Sequence, residues 1–127
     1  MFPGIYTVKM EIGNGEISSV TMNMNHQLEE FSQKVSNDPL LADGFDLICL
    51  SQGNILCRGY VEMVNSPKVH KFVMIAGPNG GYYCGNLSLC PDPIDSIPFL
   101  DQLIDEVVYT DLVQEMLSPA NYWRSPY

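Results

Sequence analysis

The sequence predicts an α/β fold built on a parallel sheet, and three observations point there. Apolar residues switch period along the chain, giving the order strand, helix, strand, helix, strand. Clusters of Gly, Pro, Asn and Asp fall where the period changes. A serine stands where the second strand gives way to a helix. The chain has 127 residues, 46% hydrophobic and 17% charged, which suits one domain or part of one, with a packed core rather than disorder.

Residues 5–12 carry Ile, Tyr, Thr and Val and close on Gly13-Asn14-Gly15, reading as a first strand and its turn. From Met24 the apolar positions Met24, Leu28, Phe31 and Val35 follow helical spacing, with Asn23 or Asn25 to cap the start and Asn37-Asp38-Pro39 to stop it. Asp43-Gly44 opens a buried-type strand over 45–50. Ile55, Leu56, Gly59, Val61 and Met63 then read as a helix ended by Asn65-Ser66-Pro67. Residues 69–76 form the third strand, which ends at Gly77-Pro78-Asn79-Gly80-Gly81. Beyond an irregular stretch, 97–108 and 111–117 read as two further helices. Three parallel strands alone leave both sheet edges unpaired, so the pattern reads as the middle of a larger sheet, and self-association through those edges is expected.

A formal net charge of -9 repels phosphate backbones and argues against nucleic acid as a partner. No apolar run reaches the roughly 18 residues of a membrane span. The first five residues lack a basic region followed by an apolar stretch, so they do not read as a signal peptide. The four cysteines, at 49, 57, 84 and 90, form no Cys-x-x-Cys pair, which disfavours zinc; no metal is expected. Cys49 and Cys57 lie in apolar runs and read as small buried residues. Cys84 and Cys90 flank a polar loop that a short disulfide could close. Between them Asn86-Leu87-Ser88 is a glycosylation sequon. Together these features lean toward an oxidising, secretory setting. Met10, Met22, Met24, Met63, Met74 and Met116 could line an acyl groove, but their spacing fits ordinary core at least as well.

The segment Leu47-Ile48-Cys49-Leu50-Ser51-Gln52-Gly53-Asn54 has the form of a nucleophile elbow. In such a turn the serine Oγ is lifted above the C-terminal edge of the sheet, and small residues two before and two after let strand and helix approach. The Gln52 backbone N–H, at the start of the helix, faces the place where an oxyanion develops. Cys49 occupies the position usually held by glycine. The alternative is that Ser51 simply caps the helix.

A family resemblance bears on this choice. Phe2-Pro3-Gly4-Ile5-Tyr6, Glu11-Ile12-Gly13, Asp38-Pro39, Gly44-Phe45, Ser51-Gln52-Gly53-Asn54, Gly77-Pro78-Asn79-Gly80-Gly81, Cys90-Pro91 and Tyr122-Trp123 occur here in the order seen in the palmitoyl-protein thioesterases. The chain resembles that family along nearly its whole length. The resemblance implies a partial α/β-hydrolase core with three inferred strands and flanking helices, residues 1–127 forming a single incomplete domain. It also implies Ser51 as nucleophile, Gln52 N–H as oxyanion donor, S-acylated (palmitoylated) proteins as substrates, a lysosomal or secretory address, and no cofactor. Three departures stand out. Asn54 replaces a second glycine found in many members, Ser125 stands at an acidic position, and the partner expected for a cysteine like Cys90 is not found, a role Cys84 would have to fill.

A triad in this fold runs serine, acid, histidine. His70, at the start of the third strand, is expected at the edge opposite Ser51. His26 begins the first helix and precedes the serine, with no acid evidently placed to orient it. Asp92, Asp95, Asp101 and Asp105 read as a solvated helix start and face. The expectation is therefore that the acid, the histidine and a second oxyanion donor are absent from this chain, which then acts alone as an inactive piece. A non-catalytic acyl- or protein-binding remnant of the same fold is the alternative.

Overall fold

The structure is a computed structural model and describes residues 3–83 and 106–125. In chain order it contains helices α1 (Glu16–Thr21) and α2 (Met24–Ser36), a 3-10 turn (Pro39–Leu41), strand β1 (Phe45–Leu50), helix α3 (Gly53–Met63), strand β2 (Val69–Ile75), helix α4 (Asp111–Met116) and a 3-10 helix (Ser118–Tyr122). β1 and β2 pair in parallel, in register from Asp46↔Lys71 to Leu50↔Ile75, with an irregularity at Phe45/Asp46.

Local chemistry explains α2. Asn23 holds an extended backbone and its side chain accepts from the His26 N–H, satisfying an orphan donor of the first turn. Leu28, Phe31 and Val35 line one face and are buried, and Asn37 with Pro39 stops the helix. α3 turns Leu56, Cys57 and Tyr60 toward them. Tyr60 is fully buried between Phe31, at 5.3 Å and edge-on, and Phe45, at 5.8 Å. Its hydroxyl donates to the Pro67 carbonyl at 2.8 Å, so the ring fills the core without stranding a polar atom. Burial pushes the Tyr60 pKa up.

Two expectations need correction. Among the described residues the sheet has two strands, not three. Residues 6–12 lie outside any ladder and are tied instead to α2 and the turn after it. Tyr6 Oη donates to Asp38 Oδ2 at 2.7 Å, the Glu11 carbonyl accepts from Lys34 Nζ, and Gly13 N–H donates to Glu30 Oε1 at 2.8 Å. Met10 and Ile12 pack against the core. Ile5, Tyr6 and Val8 are exposed, so the β-rich segment lies along a helix without forming a buried strand face. Cys49 and Cys57 are buried, as read, but they are bonded to each other, with Cα atoms 6.7 Å apart. Of the methionines read as core, Met63, Met74 and Met116 are exposed. Cys84, Cys90, Asn86 and the four aspartates at 92, 95, 101 and 105 lie outside the described residues, as does most of the helix expected over 97–108.

The C-terminal part folds back onto the loop after β2. Tyr82 N–H donates to the Tyr122 carbonyl and Arg124 N–H to the Tyr82 carbonyl, both at 2.8 Å, forming a parallel bridge between Tyr82 and Trp123. Tyr82, Tyr83, Tyr122 and Trp123 stack edge to face around it.

Candidate active site

Ser51 follows the last residue of β1 and lies at the same end of the sheet as Ile75, the last of β2. Its φ is 52°, the left-handed region. For a non-glycine residue that conformation costs about 1–2 kcal/mol. The surrounding hydrogen bonds offset it. Ser51 N–H donates to the Ile75 carbonyl at 3.0 Å, and the Ser51 carbonyl accepts from both the Asn54 backbone N–H (3.0 Å) and Asn54 Nδ2 (2.8 Å). The chain therefore reverses sharply while still attached to β2, and Ser51 itself is exposed.

Gln52 has helical dihedrals and sits at the N-cap of α3. No protein acceptor among the described residues takes its backbone N–H in a bond between elements. Its carboxamide, by contrast, is fully engaged. Nε2 donates to the Ser19 carbonyl at 2.7 Å and meets Gln27 Oε1 at 3.4 Å. Oε1 accepts from Tyr122 Oη at 2.9 Å, and Ser118 Oγ lies 3.4 Å from it. Ser118 Oγ also reaches the Ser19 carbonyl, and Gln27 Nε2 donates to the Met22 carbonyl at 2.6 Å. Burial, with Tyr82 adding to it, raises the Tyr122 pKa, so Tyr122 stays a donor at neutral pH. Gln52 thus joins the turn to α1, α2 and the C-terminal 3-10 helix.

Cys49 lies two residues before Ser51 and Cys57 in the second turn of α3, so the disulfide ties the strand entering the turn to the helix leaving it. Gly53, two after Ser51, has nothing within 4 Å of a notional Cβ. At this position the close approach of strand and helix does not depend on glycine.

The histidines stand as follows. His70 lies at the start of β2, where the register pairs Val69 with Phe45, whereas Ser51 follows the Leu50↔Ile75 end. Its imidazole covers Gly44. His26 is exposed in the first turn of α2, its backbone N–H on the Asn23 cap at 3.0 Å. An open groove of about 410 Å³ runs between α3 and the loop after β2, lined by Ile55, Gly59, Pro78, Gly80, Tyr122 and Trp123. Among the described residues no group of His, Cys, Asp or Glu is placed to hold a metal ion, and no helix is long and apolar enough to cross a membrane.

Sequence reasoning singled out Ser51 and Gln52 but missed the roles of Asn54, Gln27, Ser118 and the Tyr122 hydroxyl. For Asn54 the signal was present, a carboxamide where a small residue is usual. Ser118 carried none.

A left-handed serine between a parallel strand and a helix belongs to a mixed α/β arrangement of two parallel strands and flanking helices. Residues 1–127 match the family described as palmitoyl protein thioesterase. The chain belongs to that family. It is 38% identical over 125 residues to the palmitoyl-protein thioesterase 3 of Dictyostelium discoideum, covering 98% of this chain and 41% of that protein. It is 27% identical over 137 residues to the palmitoyl-protein thioesterase 1 of Caenorhabditis elegans, covering 98% and 42%. With the lysosomal thioesterase PPT2 of Homo sapiens it shares 24% over 135 residues, covering 98% and 40%. The chain thus spans about 41% of the length of relatives such as the first.

Proposed function

We propose that this chain carries the nucleophile of a thioesterase that removes long-chain fatty acyl groups from protein cysteines. The observation that carries the reading is the left-handed Ser51 at the strand-to-helix turn. In the proposed reaction Ser51 Oγ attacks the thioester carbonyl as its proton passes to a histidine, and the oxyanion accepts from the Gln52 N–H. Collapse expels the cysteine thiolate and leaves an acyl-serine. Water activated by a histidine then hydrolyses the ester and returns Ser51. The histidine, its acid and the second oxyanion donor are assigned to residues outside this chain. The reading needs no cofactor. A lysosomal or secretory address is proposed on two grounds: relatives named as lysosomal thioesterases, and a disulfide suited to an oxidising compartment.

A second reading, a non-catalytic acyl- or protein-binding remnant, draws support from the position of His70 at the far end of the sheet. A long-chain fluorophosphonate, with the labelled serine mapped by mass spectrometry, separates the two. The thioesterase reading expects label at Ser51 ahead of other exposed serines, lost in Ser51→Ala, yet palmitoyl-thioester hydrolysis by the 127-residue chain at background. Label spread evenly over the serines would favour the remnant. Turnover that depends on Ser51 would mean that a base within the chain, His26 foremost, reaches it.

A further inference from the structure

Asn54 has no accessible surface, and every polar atom of its side chain is used. Nδ2 donates to the carbonyls of Ser51 and Ile75, both at 2.8 Å, while Oδ1 accepts from the Ile75 N–H at 3.2 Å. The carboxamide therefore lies across the Ile75 residue and meets its N–H and its C=O, as a neighbouring strand would. It does so where β1 has turned away. The same Ile75 carbonyl receives the Ser51 N–H. One buried side chain thus fixes both the strand end and the serine turn against each other.

Space for it comes from Gly77. A Cβ there would lie 2.6 Å from Asn54 Cβ, 2.7 Å from Cγ and 2.9 Å from Nδ2. The backbone leading to Gly77 is itself left-handed at Ala76, with φ 48°. Two left-handed residues, Ser51 and Ala76, flank the carboxamide, and neither conformation is one an L residue adopts without support.

We propose that Asn54 is a positioning residue that holds Ser51 in its left-handed turn, and that Gly77 is the gap it requires. The mechanistic meaning rests on Ser51 being the nucleophile; the geometry does not. Asn54 touches no reacting atom. It sets the direction of Ser51 by pinning the carbonyl on one side of that residue, while the Ile75 carbonyl holds the N–H on the other.

A double-mutant cycle on the 127-residue chain tests the pairing. Asn54→Gly removes the buried bonds and should lower the melting temperature by on the order of 10 °C. Gly77→Ala alone should also lower it, because the new methyl strikes Asn54. Added to Asn54→Gly, Gly77→Ala should cause little further loss, since all three clashing atoms are gone. An equal loss in both backgrounds would overturn the pairing. Positioning is read separately, from the three-bond HN–Hα coupling and the Cα shift of Ser51 by NMR. In Asn54→Gly these should leave their left-handed values while Leu47 and Tyr60 keep theirs. If Asn54→Gly does not fold, Gly77→Ala provides the same readout, because it displaces the carboxamide without deleting it. Ser51 signals unchanged in the folded variant would overturn the proposal. Failure of the wild-type Ser51 to take the fluorophosphonate would remove the nucleophile reading alone.

Discussion

The two faces of the β1–β2 sheet are built from alternating residues of the same strands, yet they differ sharply. On one, Leu47 and Cys49 are buried under α2 and α3. On the other, Ile48 and Leu50 are each 64% exposed, and their partners in the register, Val73 and Ile75, are exposed too. A strand meant to face water on one side alternates apolar with polar residues. β1 does so only at Asp46, and near-continuous apolar runs belong to parallel strands covered on both faces. The amino acids therefore specify two covers, and among the described residues one is in place.

The contrast is sharpened most by truncating the covered side. Tyr60→Ala should lower stability by about 3–5 kcal/mol in denaturant melts, since it empties the space between Phe31 and Phe45 and strands the Pro67 carbonyl. Removing the disulfide by the double change Cys49→Ala and Cys57→Ala should cost about 2–3 kcal/mol for a loop this short, read as a lower melting temperature under non-reducing conditions. A reductant should bring the wild type toward the same value and leave the double variant unchanged. The smallest stability effect belongs to the open face. Ile48→Thr should change stability by less than about 0.5 kcal/mol. It should nevertheless reduce self-association in sedimentation, because Ile48, Leu50, Val73 and Ile75 form a contiguous apolar patch next to strand edges that have no ladder partner among the described residues. A loss at Ile48 as large as that at Tyr60 would mean that the face is covered in solution, and the contrast would be broken.

The elements that were legible in the sequence announce themselves locally. The helix from Met24 carries a clean period, the strands 45–50 and from Val69 are short β-rich apolar runs, and with turn signals at their ends all three stand where those signals put them. The helix expected over 111–117 appears as α4. Residues 5–12 show why β-rich composition beside a turn signal is insufficient evidence for a strand: side-chain bonds to α2 and the turn after it hold the segment, with Met10 and Ile12 packed on the core. The six-residue α1 was missed because it buries Ser18 in place of an apolar stripe. At the candidate site, the strand–serine–helix order was visible because it is contiguous. Gln52 reaches Ser19, Gln27, Ser118 and Tyr122 through contacts 25 to 70 residues apart in sequence, and no local pattern encodes such meetings. The same holds for the bond between Cys49 and Cys57. Their spacing spans a strand-to-helix turn, and only the tightness of that turn brings the sulfurs together.

The Gln52 carboxamide also sets a timetable. Its acceptor in α1 lies 33 residues upstream, but the Tyr122 hydroxyl comes 70 residues after it. At about 5–20 residues per second on the ribosome, roughly 4–14 s separate the synthesis of the serine turn from that of Tyr122. During that interval the turn has its own strand and helix but lacks the C-terminal tie, so a nascent chain exposes the Gln52 oxygen to solvent or to a chaperone. The Tyr122 bond can thus form only well after the strand and helix that make the turn have been synthesised.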